Sequence, residues 1–111
     1  MIKNEPNTIQ KGVANMTDEQ MQRAKDFLQG AAYAFMAQSG KSDFEASVLV
    51  GGFNAQSWAG TPLEALVNAY NGDYREAGKA CGRVLFNVLQ EDKRQFESSR
   101  PDDAKSYRWV G

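Results

Sequence analysis

The chain has 111 residues, 41% of them hydrophobic and 24% charged, with a formal net charge of −1. That length supports one domain with a modest core, and near-neutral charge gives no whole-chain field to draw in nucleic acid or a membrane surface. One cysteine and no histidine exclude an intrachain disulfide framework, Ser–His and Cys–His nucleophile pairs and most zinc sites.

Residues 1–16 are polar, with Ile2, Ile9 and Val13 as scattered apolar positions and with Pro6 and Gly12 interrupting any periodicity. They read as an N-terminal arm without helix, and residues 17–111 as a single globular domain. There is no apolar leader-like stretch and no run of membrane-spanning length, so a cytoplasmic protein with no membrane partner is expected. Thr17-x-x-Gln20 is a capping box, followed by Asp18 and Glu19 where the helix dipole favours acid. The spacing predicts a helix over 17–37 with Met21, Ala24, Phe27, Leu28, Ala31, Ala32 and Phe35 on its core arc. Ser39-Gly40 closes it. Gly40-Lys41-Ser42 looks like the end of a phosphate-binding loop, but Phe35 stands where that loop needs glycine and a helix precedes it instead of a strand.

Phe44 to Phe53 carries two conflicting signals. Ser42-x-x-Glu45 suggests a helix start. Ser47-Val48-Leu49-Val50, β-branched and bounded by Gly51-Gly52, suggests a buried strand, and a strand over Ala46–Phe53 is the reading adopted. Asn54-Ala55 would turn it back onto Gln56–Ala59 as a short partner strand. Thr61 as N-cap and Pro62 at the first helical position then open a helix over 61–70, with Leu63, Leu66, Val67 and Tyr70 facing the core. Asn71-Gly72 ends it. The loop from Gly51 to Thr61 ahead of a helix N-terminus could cradle an anion through backbone N–H groups, which makes Gly51, Gly52, Asn54, Ser57, Trp58 and Thr61 candidate ligand-binding residues. Ser57 itself lies in A-Q-S-W-A, without the glycines of a nucleophile elbow.

The longest helix is predicted over 73–97, opened by Asp73 and Glu76 in a D-x-x-E relation. Tyr74, Ala77, Gly78, Cys81, Val84, Leu85, Val88 and Leu89 fall on one arc and make its core face. Cys81 on that arc reads as a buried, inert thiol. Gly78 and Gly82 each cost about 1 kcal/mol of helix propensity relative to alanine, and close packing of a second helix is the expected compensation. The opposite face is basic: Arg75, Lys79 and Arg83 recur every fourth residue, with Phe86 lying among them. Those four are the candidate partner-binding residues, three cations for an acidic protein surface and one aromatic anchor. Ser98 to Asp103 is a polar break containing Pro101, and Ser106–Val110 reads as a short edge strand or a docking tail. Tyr33, Tyr107 and Trp109 lie outside the core arcs, so a homodimer that covers them is expected.

The stretch V-L-V-G-G-F-N-A-Q-S-W-A-G-T-P-L-E-A-L, residues 48 to 66, resembles small uncharacterised phage-encoded accessory proteins, which place a short glycine-ended strand before a helix opened by Gly-x-Pro. The resemblance implies a non-enzymatic binder that blocks a host protein, and it carries over no functional residues. Together the readings give an α+β fold: a helix-dominated small single domain of three helices with a short antiparallel sheet. The expected function is a non-catalytic protein-interaction module, an inhibitor of phage or mobile-element origin, with no cofactor and no metal. The alternative is a small-ligand or nucleotide-binding protein using the Gly51–Thr61 loop. Nucleic-acid binding through the Arg75 face is the weaker expectation, because the chain as a whole is not basic.

Overall fold

The computed structural model describes residues 1–51, 58–101 and 104–111. The fold is α+β: among the described residues it has helices α1 (Asp18–Ser39), α2 (Ala46–Leu49), α3 (Glu64–Ala69) and α4 (Tyr74–Glu91), then strands β1 (Phe96–Ser99) and β2 (Ser106–Trp109). The predicted capping box is formed, with the Gln20 N–H donating to Thr17 Oγ1 at 3.0 Å and the Thr17 N–H to Gln20 Oε1 at 2.9 Å. Gly40, at φ 60, closes α1 with its N–H donating to the Met36 carbonyl. Asp73 caps α4 by accepting from the N–H groups of Arg75 and Glu76. Asn71 and Gly72 both take positive φ, 55 and 85, and this tight left-handed turn separates α3 from α4.

α1 buries Ala24, Leu28, Ala32 and Met36, one residue per turn, and α4 buries ten of its eighteen residues. These two helices form the main helix–helix contact, and α3 also packs on α4. Leu28, Leu63, Leu66, Leu85 and Leu89 are fully buried, each such side chain stabilising the fold by about 1.5–3 kcal/mol relative to exposure.

The sheet lies elsewhere than the sequence suggests. Residues 46–49 are the short helix α2, and Glu45 holds its N-cap position with extended backbone. The segment is helical, but not through the Ser42-x-x-Glu45 box: Glu45 makes no side-chain cap bond and the Ser42 hydroxyl donates to the Ser39 carbonyl instead, while Val48 points outward at 55% exposed. The remainder of the predicted strand pair, residues 52–57, lies outside the described residues; Trp58 and Ala59 belong to a helical turn. The observed strands are β1 and β2, paired antiparallel with Phe96 opposite Trp109 and Ser99 opposite Ser106. Ser106–Trp109 is thus the short strand, and not a docking tail. Isolated bridges extend the ladder on both sides, Ile2 parallel to Phe96 and Phe44 antiparallel to Tyr107. One face of this ladder is aromatic: the Phe44 ring sits edge-on to Phe96 at 6.4 Å and tilted to Tyr107 at 6.1 Å.

α4 stops at Glu91, short of the predicted 97, because Asp92 turns to extended backbone and its carboxylate accepts the Arg94 N–H at 2.7 Å. The same carboxylate accepts from Gln29 and Tyr33 of α1. The N-terminal arm has no helix, yet Ile2 is 1% exposed and part of the core. Side-chain amides hold its backbone. Gln90 accepts the Ile2 N–H and donates to the carbonyls of Pro6 and Thr8. Asn87 accepts from the Gln10 N–H and donates to the Gln10 carbonyl, and Asn4 does the same with Ser98. No helix among the described residues is long and apolar enough to cross a membrane.

Candidate functional site

A groove of about 600 Å³ runs along α4. Its floor and one wall are the α4 residues from Tyr74 to Phe86; the others come from Glu45–Ser47 at the start of α2, from the connection between β1 and β2, and from Gln10 of the arm. Five cations line it, Arg75, Lys79, Arg83, Arg100 and Lys105, against one carboxylate, Glu45, among the described residues.

The structure brings Arg75, Lys79, Arg83 and Phe86 onto this single groove, as their helical spacing implies. Their states differ. Arg75 makes no ion pair among the described residues, and Lys79 is 3.5 Å from Glu76 in a solvent-exposed pair of little energetic weight. Arg83 donates from Nη2 to the Tyr70 hydroxyl at 2.9 Å, while its Nε is buried with no acceptor among the described residues. Lys105 is bonded to Glu5 at 2.6 Å, both side chains half-buried. Hydrogen bonds from Lys105 and Ser98 hold the Glu5 carboxyl below its ordinary value, outweighing a partial burial that acts the other way.

Phe86 is not the exposed anchor that the helical wheel implies. It is 4% exposed, with the Lys105 ammonium 5.1 Å from its ring centroid. Tyr74 is displaced in the opposite sense: predicted for the core, it is 48% exposed at the mouth of the groove. The glycines also divide. Gly78 is buried, but a Cβ built on Gly82 meets nothing within 4 Å. Close helix packing therefore does not account for Gly82, whose missing side chain leaves the groove open.

Cys81 is fully buried, and desolvation pushes its thiol pKa up to about 12, which suppresses the thiolate that nucleophilic or metal chemistry needs. The predicted loop site does not form around a free helix N-terminus. The Gly60 N–H already donates to the Glu64 carboxylate at 2.7 Å, and Thr61 bonds the Trp58 carbonyl and the Leu63 N–H. Trp58 is 3% exposed and Gly51, at φ 73, is exposed; Gly52, Asn54 and Ser57 lie outside the described residues. The rings expected to need a second copy find cover within the chain: Tyr107 is buried, and Arg94 stacks on Tyr33 at 4.4 Å and Trp109 at 5.5 Å.

Sequence reasoning missed Arg100, Lys105 and Gln10. No local pattern could have found them, because strand pairing and the pinned arm bring them to the groove from opposite ends of the chain. Comparisons with protein-family models, with curated proteins and with solved structures find no match.

Proposed function

We propose that the protein is a non-catalytic interaction module whose working surface is the basic groove on α4, and that its partner is a protein presenting an acidic segment. The observation that carries this reading is the convergence of five cations from two separate parts of the chain on one groove with a single lining carboxylate among the described residues, in a chain whose net charge is −1. A basic groove on a near-neutral protein is a local feature, and local complementarity of this kind raises association rates and selects partners. Arg75 and Lys79 form the solvent-facing part of the site, Arg83 its partly shielded end, and Phe86 an apolar floor. The module acts by occupying its partner's surface, as a blocker of a host protein in the manner of the phage-encoded proteins that residues 48–66 resemble.

The test uses poly-glutamate as a probe in titrations against the wild type and the Arg75→Glu/Lys79→Glu variant, with helicity checked by circular dichroism. Binding that weakens by about tenfold or more in the folded variant, and that falls with added salt, is expected. Equal affinity in both proteins, or no binding to the wild type at low ionic strength, overturns the proposal.

A further inference from the structure

We infer that the groove reads an extended segment with an acidic residue at every second position. This rests on the function proposed above and specifies its ligand. The groove follows α4 from Tyr74 to Phe86, a length of roughly 18 Å at 1.5 Å per residue, which an extended segment of about five residues spans. Arg75, Lys79 and Arg83 each stand four residues apart, about 6 Å along the helix axis. In an extended chain residues i and i+2 point to the same side and stand roughly 6.6 Å apart. Three alternate carboxylates therefore meet three successive cations with a mismatch of about 1 Å over the whole run, well within the reach of flexible arginine and lysine side chains. A helical ligand with carboxylates at i, i+4 and i+8 would match the same repeat of about 6 Å, but a helix with its side chains is about 10–12 Å across, which holds its main chain away from the open space beside Gly82 that an extended chain can enter.

Two features suit a peptide backbone in particular. Gly82 lies one residue before Arg83 on the adjacent line of the helix, and the space beside it is open, so a main chain can approach α4 closely there. Arg83 keeps unused capacity: Nη2 is engaged with Tyr70 while Nε has no acceptor among the described residues. Reorienting its guanidinium toward a carboxylate sacrifices nothing at Nε and relieves an unsatisfied donor. A second copy of this chain does not supply the ligand, since the sequence has no three acidic residues at alternate positions; Asp43 and Glu45 are as far as such a pattern runs.

Two fluorescein-labelled peptides of identical composition test the register, Gly-Asp-Leu-Asp-Leu-Asp-Gly and Gly-Asp-Asp-Asp-Leu-Leu-Gly, titrated by anisotropy at low ionic strength. The alternating peptide is expected to bind at least about tenfold more tightly. Lys79→Glu, which removes the central cation, abolishes that preference. Gly82→Leu weakens binding of the alternating peptide without loss of helicity, because the added side chain occupies the groove. Equal affinity for both peptides on the wild type, each weakened by Arg75→Glu, overturns the register and leaves the acidic-partner function intact. Binding of neither peptide, with poly-glutamate also inert, overturns both.

Discussion

Gly82→Ala should stabilise the protein. Glycine inside a helix costs about 0.5–1 kcal/mol relative to alanine, chiefly through the backbone entropy lost on folding. Whether that gain is realised depends on what the new methyl meets. At Gly82 the backbone is helical and an added Cβ has no heavy atom within 4 Å, so no steric term opposes it. Gly30, exposed in the middle of α1 with the same free space, serves as an internal standard. With an unfolding entropy of about 2.1 cal/mol/K per residue, the whole chain has roughly 0.23 kcal/mol/K, and a gain of 1 kcal/mol raises Tm by about 4 °C. Thermal unfolding followed by circular dichroism at 222 nm measures both variants side by side. Equal increases of about 2–4 °C are expected. A fall in Tm for Gly82→Ala with a rise for Gly30→Ala would mean that α4 is closely covered at Gly82, and the groove would not exist in solution.

Phe86→Ala should lower stability by about 3–5 kcal/mol, as expected for a buried ring removed from a packed site; urea denaturation showing a loss under 1 kcal/mol would return Phe86 to the surface. Asp92→Asn should flatten the acid limb of the stability curve. Burial opposes the Asp92 charge, but hydrogen bonds from Tyr33, Arg94 and Gln29 together outweigh it and hold its folded pKa below the ordinary value. A carboxylate so depressed contributes stability above its unfolded pKa, and loses it as pH falls through the folded one. The wild type should therefore lose stability faster than the variant below about pH 4, and parallel curves over that range would contradict the hydrogen-bond account.

Local signals were legible wherever the chain makes its own decision. Thr17, Asp73 and the Asn71-Gly72 turn each fix a helix end through a side chain or a backbone angle encoded within four residues. The α+β class and the helical majority follow from such signals. The strands did not, because Phe96-Glu97-Ser98-Ser99 has little β character, and its pairing depends on residues Ser106–Trp109 and on Ile2 from the far end of the chain. The helical wheel failed at Tyr74 and Phe86 for a related reason. It assumes one buried face along the whole helix. Tyr74, in the first turn, opens onto the groove instead of the core, whereas the C-terminal half is also packed by α1, the arm and Lys105, so Phe86 and even Gln90 are buried. Of the groove, sequence shows one wall, the cations of α4; the other walls are assembled by tertiary structure alone.

The pinned arm bears on how the protein is made. Residues 2 to 10 leave the ribosome well before their partners Asn87, Gln90, Phe96, Ser98 and Lys105, which follow them by 77 to 100 positions. Ile2, a core residue, must therefore wait solvated while most of the chain is synthesised. Helices α1 and α4 can associate before then, but β1 lacks its bridge to Ile2 and the groove its Gln10 wall until residues 2–10 dock. Completion of the groove and completion of folding thus arrive together, since the same late contacts make both.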